Sequence, residues 1–108
     1  MRDAHEIAQR LARAALSLAA ELLPAGVREG AEWRVGSVAG ERGRSLSVRL
    51  TGGKAGLWAD FSTGECGDAL DLVAAVLFRG ERAPALAWAA RWLGIGEGGA
   101  AAPAATRR

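Results

Sequence analysis

The chain has 108 residues, with 14 Lys and Arg against 12 Asp and Glu, a net charge of +2 and half of its residues hydrophobic, many of them Ala. That length suits one domain with a modest core, and so small a net charge does not by itself select a partner. A single cysteine, Cys66, and a single histidine, His5, exclude an internal disulfide and a Cys/His zinc cage. No apolar run approaches the ~20 residues that span a bilayer, and the start, Met-Arg-Asp-Ala-His-Glu, has early acids and no signal-peptide hydrophobic region. These features point to a cytoplasmic protein with no membrane segment and no cofactor.

In chain order, residues 3–23 read as one helix. Asp3 and Glu6 have capping-box spacing, and Ile7, Leu11, Ala14, Ala15, Leu18 and Leu22 form an apolar stripe. Pro24 and Gly26 stop it. From residue 32 the period changes to two. Trp33 and Val35 alternate with Arg34 and Gly36, and Leu46, Val48 and Leu50 alternate with Ser45, Ser47 and Arg49. Leu57, Ala59 and Phe61 alternate with Trp58 and Asp60. Each run suits a strand with one buried and one wet face, and the short Gly-bearing connections suit hairpins.

After a turn at Ser62–Gly67, in which Gly64 and Gly67 supply positive φ, Asp68 caps a second helix with Asp71 at its third position. Leu70, Val73, Val76 and Leu77 give that helix its apolar side and Gly80 closes it. Pro84 lies in the first turn of a third helix, with Leu86, Ala89, Ala90 and Leu93 inward and Trp88 and Trp92 sharing a face. The fold class expected is α+β: an N-terminal helix, a three-stranded antiparallel sheet and two C-terminal helices. Residues 1–95 form the domain and 96–108 a tail or linker.

Charge is segregated along the chain. From Arg28 to Trp58 there are six bases (Arg28, Arg34, Arg42, Arg44, Arg49 and Lys54) and three acids, whereas Asp60–Asp71 holds four carboxylates and no base. A basic strand surface bearing an aromatic side chain can track phosphates and stack bases. An ordinary solvated face that protects an edge strand accounts for the same arginines. Trp58 has two placements consistent with the alternation: on the wet face beside Arg49, as the stacking ring, or in a core covered on both sides by helices. Trp33 is expected against the first helix, and Trp88 and Trp92 in core or helix-surface packing.

The stretch Gly36–Asp71, with Ser45-Leu46-Ser47-Val48 followed by Trp58-Ala59-Asp60-Phe61-Ser62-Thr63-Gly64 and Gly67-Asp68, resembles the N-terminal zinc-ribbon-type domain of phage- and plasmid-like bacterial DNA primases and primase–helicases. The resemblance spans roughly residues 20–95. It implies a ribbon-like sheet that holds single-stranded template DNA, while a separate polymerase domain makes the primer. It also implies where zinc ligands would lie, and this chain has Gly36, Ala39, Asp60 and Thr63 there. None is a thiolate or imidazole, so the expectation is a metal-free version.

On this reading the chain is not an enzyme by itself. The nucleic-acid-binding candidates are Arg34, Arg42, Arg44, Arg49, Lys54 and Trp58, and the turn and cap candidates are Asp60, Gly64, Gly67 and Asp68. Asp60 is placed to accept amide hydrogen bonds from Ser62–Gly64, and Asp68 with Asp71 suits a helix cap better than a magnesium site. Residues 63–67 lack the lysine of a phosphate-binding P-loop, and no nucleophile–base set is present. The rival expectation is a protein-interaction module that docks a replicative helicase or a primase polymerase domain.

Overall fold

The structure, a computed structural model, describes residues 3–94; the tail expected at 96–108 lies outside them. Within that range the chain is α+β, with four helices and a five-stranded antiparallel sheet. No described helix is long and apolar enough to cross a membrane.

The first helical stretch is two helices, not one: α1 (Ala4–Arg13) and α2 (Ala15–Leu22). The Asp3 carboxylate accepts the amide of His5, and Glu6 pairs with Arg10 one turn on. At Ala14 (φ −111°, ψ 33°) the amide reaches back only three residues, to the Leu11 carbonyl at 3.0 Å, and the helix restarts. The two halves share helix 69–77 as a neighbour and differ beyond it: α1 also packs on helix 82–93, and α2 on the strand at Leu46–Arg49.

Past Leu23 the chain turns through Pro24 and Gly26 into the sheet. Trp33 Nε1 donates a 3.0 Å bond to the Leu23 carbonyl at the end of α2, which also accepts the Gly26 amide at 2.9 Å. The chain passes so close beneath the indole that a Cβ on Gly26 would lie 2.1 Å from Nε1. Trp33 therefore packs against the first helical unit, as its position in the sequence suggests.

The strands are β1 (Val27–Glu29), β2 (Glu32–Val35), β3 (Leu46–Arg49), β4 (Trp58–Asp60) and β5 (Cys66–Gly67), neighbours in that order. The expected three-stranded meander is thus the middle of a wider sheet. β1 contributes Val-Arg-Glu, with all three residues exposed, so it has no buried face to betray it. β5 is two residues at the end of what reads as a turn. Both are held to the sheet by backbone pairing, which leaves little mark on side-chain pattern.

Register decides the faces. Trp33 pairs with Val48 and Val48 with Trp58; Val35 pairs with Leu46 and Leu46 with Asp60. Directly opposed residues point the same way, so these six share one face; Val35, Leu46, Val48 and Trp58 join Ile7, Leu11, Leu18, Leu70 and Val73 in one core, with Trp33 packed against it and Asp60 buried on the same side. The expected orientation of β4 is therefore corrected. Trp58 and Asp60 are buried, while Leu57 is 45% and Phe61 72% exposed.

Helix α3 (Ala69–Leu77) begins with a complete capping box. Asp68 accepts the amide of Asp71 at 2.9 Å and Asp71 accepts that of Asp68 at 3.0 Å. It ends with Arg79 at φ 55° and Gly80 at φ 90°, whose amide returns to the Ala74 carbonyl. In α4 (Arg82–Leu93), Pro84 lies in the first turn as expected. Ala85 and Ala89 are fully buried against α3, and Leu86, Ala90 and Leu93 pack partly buried beside them. Trp88 and Trp92 stack with centroids 5.9 Å apart and are themselves half-buried against the core.

Candidate nucleic-acid interface

The helices share their core with one face of the sheet, and the opposite face is open. Along it the register sets Val27, Arg34, Ser47, Ala59 and Cys66 in one row and Glu29, Glu32 and Arg49 in the next. Two of the six candidate residues, Arg34 and Arg49, thus share this face because they fall on the same parity of paired strands.

Most of the basic charge here is already engaged. Glu29 and Glu32 stand directly opposite each other on β1 and β2, a repulsive arrangement unless each finds a cation. Glu32 pairs with Arg34 at 2.9 Å and Glu29 with Arg44. Arg34 also donates to the Arg44 carbonyl at 3.0 Å, which fastens the β2–β3 loop to the sheet. A hydrogen bond from Ser47, foremost, and then Arg34 and Arg49 hold the Glu32 carboxyl below the usual glutamate range. Arg34 and Arg44 therefore act first as structural cations. Among the described residues, Arg42, Arg49 and Lys54 form no salt bridge.

Arg49 and Lys54 border a shallow groove on the open side with Ser47, Leu57, Ala59 and Phe61, and no carboxylate lines it. Trp58 contributes to its floor but cannot be the stacking ring. It is 5% exposed, and its Nε1 donates a 3.0 Å bond to the Asp68 carbonyl on the helix side. The ring available to solvent is Phe61. Sequence alternation put Phe61 inside because Leu57, Ala59 and Phe61 form the more apolar set. The contrary signal is Asp60-Phe61-Ser62, the pattern of a turn in which an aspartate caps its own backbone.

Asp60 does so. Its Oδ1 accepts the Ser62 amide at 2.8 Å and the Ser62 hydroxyl at 2.7 Å, which holds this buried carboxyl below the usual aspartate range, against the opposing effect of burial. The Asp60 carbonyl takes the Gly64 amide, with Gly64 at φ 85°. Gly67 needs its missing side chain for another reason than the one expected. Its φ is not positive, and a Cβ would lie 2.6 Å from the Asp71 side chain within the capping box. The acidic stretch 60–71 is thus largely spent on internal hydrogen bonds and on the Asp71–Arg82 ion pair.

The residues do not fit zinc. Gly36, Ala39 and Thr63 offer no strong ligand, and the Asp60 carboxylate is turned into its own loop. Cys66 is an exposed free thiol, and no group of three or more His, Cys, Asp and Glu among the described residues could hold a metal. No protein-family model, curated protein or solved structure matches the chain.

Proposed function

We propose that the chain is a non-catalytic module that binds single-stranded DNA on the open face of its sheet, as a metal-free, zinc-ribbon-like template-holding domain of a primase or primase–helicase. The observation that carries the binding reading is the groove in which exposed Phe61 lies with Arg49 and Lys54 and without a carboxylate. A base stacked on Phe61 would place its phosphates within reach of two cations that form no salt bridge among the described residues. The assignment to primases rests on the resemblance carried by Trp58-x-Asp60-Phe61-x-Thr63-Gly64 and Gly67-Asp68. In this sheet those residues have distinct tasks: a core ring, a turn anchor, a solvent-facing ring and a helix cap.

The test is fluorescence anisotropy of a labelled single-stranded oligonucleotide at two salt concentrations. Binding that weakens steeply with salt supports the reading, and no binding at low salt overturns it. A second reading, docking of a helicase or a primase polymerase domain, draws on the helical layer, where Leu77 is 44% exposed and Trp88 and Trp92 stack on each other. It predicts dependence on Trp88 and indifference to Arg49.

A further inference from the structure

A second concavity lies on the other side of the β3–β4 loop. It runs between the C-terminal end of α1 and the loop, and it is lined by Ala12, Arg13, Leu50, Thr51, Gly52 and Gly53, with Ala55 at one end. Its walls are fixed. Gly56 at φ 90° approaches α1 so closely that a Cβ would meet the Ala12 Cβ at 2.9 Å, and Ala15, Ala19 and Leu50 form a small core cluster beneath, with Ala55 packed on it.

Beside the apolar Ala12, Leu50 and Ala55, the cleft carries groups suited to an anion. The amides of Thr51, Gly52, Gly53 and Lys54 have no hydrogen-bond partner among the described residues. Arg13 is exposed and forms no salt bridge among the described residues, and no carboxylate lines the space. Free amides on the loop and a guanidinium on α1 are donors of the kind that phosphate oxygens accept. Glycine at two of these positions leaves the backbone open to close approach, with nothing within 4 Å of a Cβ built on either. The next residue, Lys54, lines the groove with Phe61, so a single short loop carries donors to both depressions.

We propose that the cleft between α1 and the β3–β4 loop is a phosphate-binding site. Resting on the functional reading above, we further propose that it takes a backbone phosphate of the same strand whose base lies against Phe61. The loop is then a saddle over which the strand passes, and Arg13, remote from the basic stretch in sequence, belongs to the interface.

The experiment is a titration of the full chain followed by amide NMR, first with pyrophosphate alone and then with an oligothymidylate. Pyrophosphate should shift the amides of residues 51–54 saturably, and Arg13→Gln or Thr51→Glu, both at exposed positions, should each weaken that binding about tenfold or more. Unmoved loop amides, or shifts of equal affinity in Arg13→Gln, overturn the site. Oligothymidylate should shift the loop and Phe61 together. Saturable pyrophosphate shifts with no response to oligothymidylate support the cleft as a site for a free phosphate compound and overturn the nucleic-acid reading. Shifts at Phe61 alone with oligothymidylate keep that reading and overturn the path across the loop.

Discussion

The indole Nε1 of Trp58 donates a 3.0 Å hydrogen bond to the carbonyl oxygen of Asp68, the residue that caps α3. One side chain thus ties the centre of the sheet to the start of the helix behind it. Trp58→Phe removes the donor and part of the buried ring, while the Asp68 carbonyl keeps the Leu72 amide at 3.0 Å. The expected loss, from the missing hydrogen bond and the space left in the core, is about 1–3 kcal/mol in urea unfolding, with affinity for single-stranded DNA unchanged. A loss of DNA affinity without loss of stability would return Trp58 to the binding surface.

Phe61, Arg49 and Lys54 should behave in the opposite way. Phe61→Ala leaves stability nearly unchanged, because the ring is 72% exposed, and weakens DNA binding by about 1–3 kcal/mol. Arg49→Glu and Lys54→Glu should each lower the slope of log affinity against log salt by roughly 0.7 or more. Arg34→Gln should act mainly on stability, since Arg34 is engaged with Glu32 and the Arg44 carbonyl. Anisotropy titrations paired with thermal melts separate the two classes.

Acid sensitivity should trace to Asp60 and Glu32, both held below their usual ranges in the folded state, Asp60 first by Ser62 and Glu32 first by Ser47. A carboxyl depressed on folding stabilises the protein above its unfolded value. That contribution is lost as pH falls through ~4 and below, where the unfolded chain takes up the proton first. Stability measured by urea unfolding should therefore fall from about pH 5 downward, and Asp60→Asn should make the acid limb shallower. An unchanged limb in Asp60→Asn would remove Asp60 as a source.

The end of α3 holds Arg79 at φ 55°, in the left-handed region. A side chain there costs about 1–2 kcal/mol, part of which glycine returns through the greater freedom of its unfolded state. Arg79→Gly should raise stability by roughly 0.5–1 kcal/mol. A thermal melt reads this directly, and a lowered midpoint would show that the Arg79 side chain contributes more than its backbone strain removes.

Gly56→Ala should be among the most damaging of small substitutions, combining a φ of 90° with a 2.9 Å approach to Ala12. Gly53→Ala, with open space around it and no positive φ, should be nearly neutral. Comparing their unfolding midpoints tests whether the β3–β4 loop is fixed against α1.

Several of these features were legible in the residues. Asp68 with Asp71, three apart before an apolar run, spelled a capping box. Leu46, Val48 and Leu50 on one parity and Arg34 and Arg49 on the other gave β2 and β3 their faces, because backbone pleating leaves only two sides to choose from. Pro24, Gly80 and Pro84 marked boundaries through local backbone chemistry that needs no distant partner.

Only the tertiary structure decided the rest. On β4 the Leu57/Ala59/Phe61 parity is the more apolar, so alternation did not single out Trp58 as the inward ring. The choice fell to the Trp58–Asp68 bond, which joins the sheet to α3, together with the local Asp60 turn. The break at Ala14 has no breaker residue; α1 and α2 share α3, and beyond it α1 meets α4 while α2 meets β3. Which arginines stay unpaired depends on Glu29 and Glu32 meeting Arg44 and Arg34 across strands. Local conformational preference is written residue by residue, whereas facing, pairing and burial are properties of contacts between segments that the chain order does not contain.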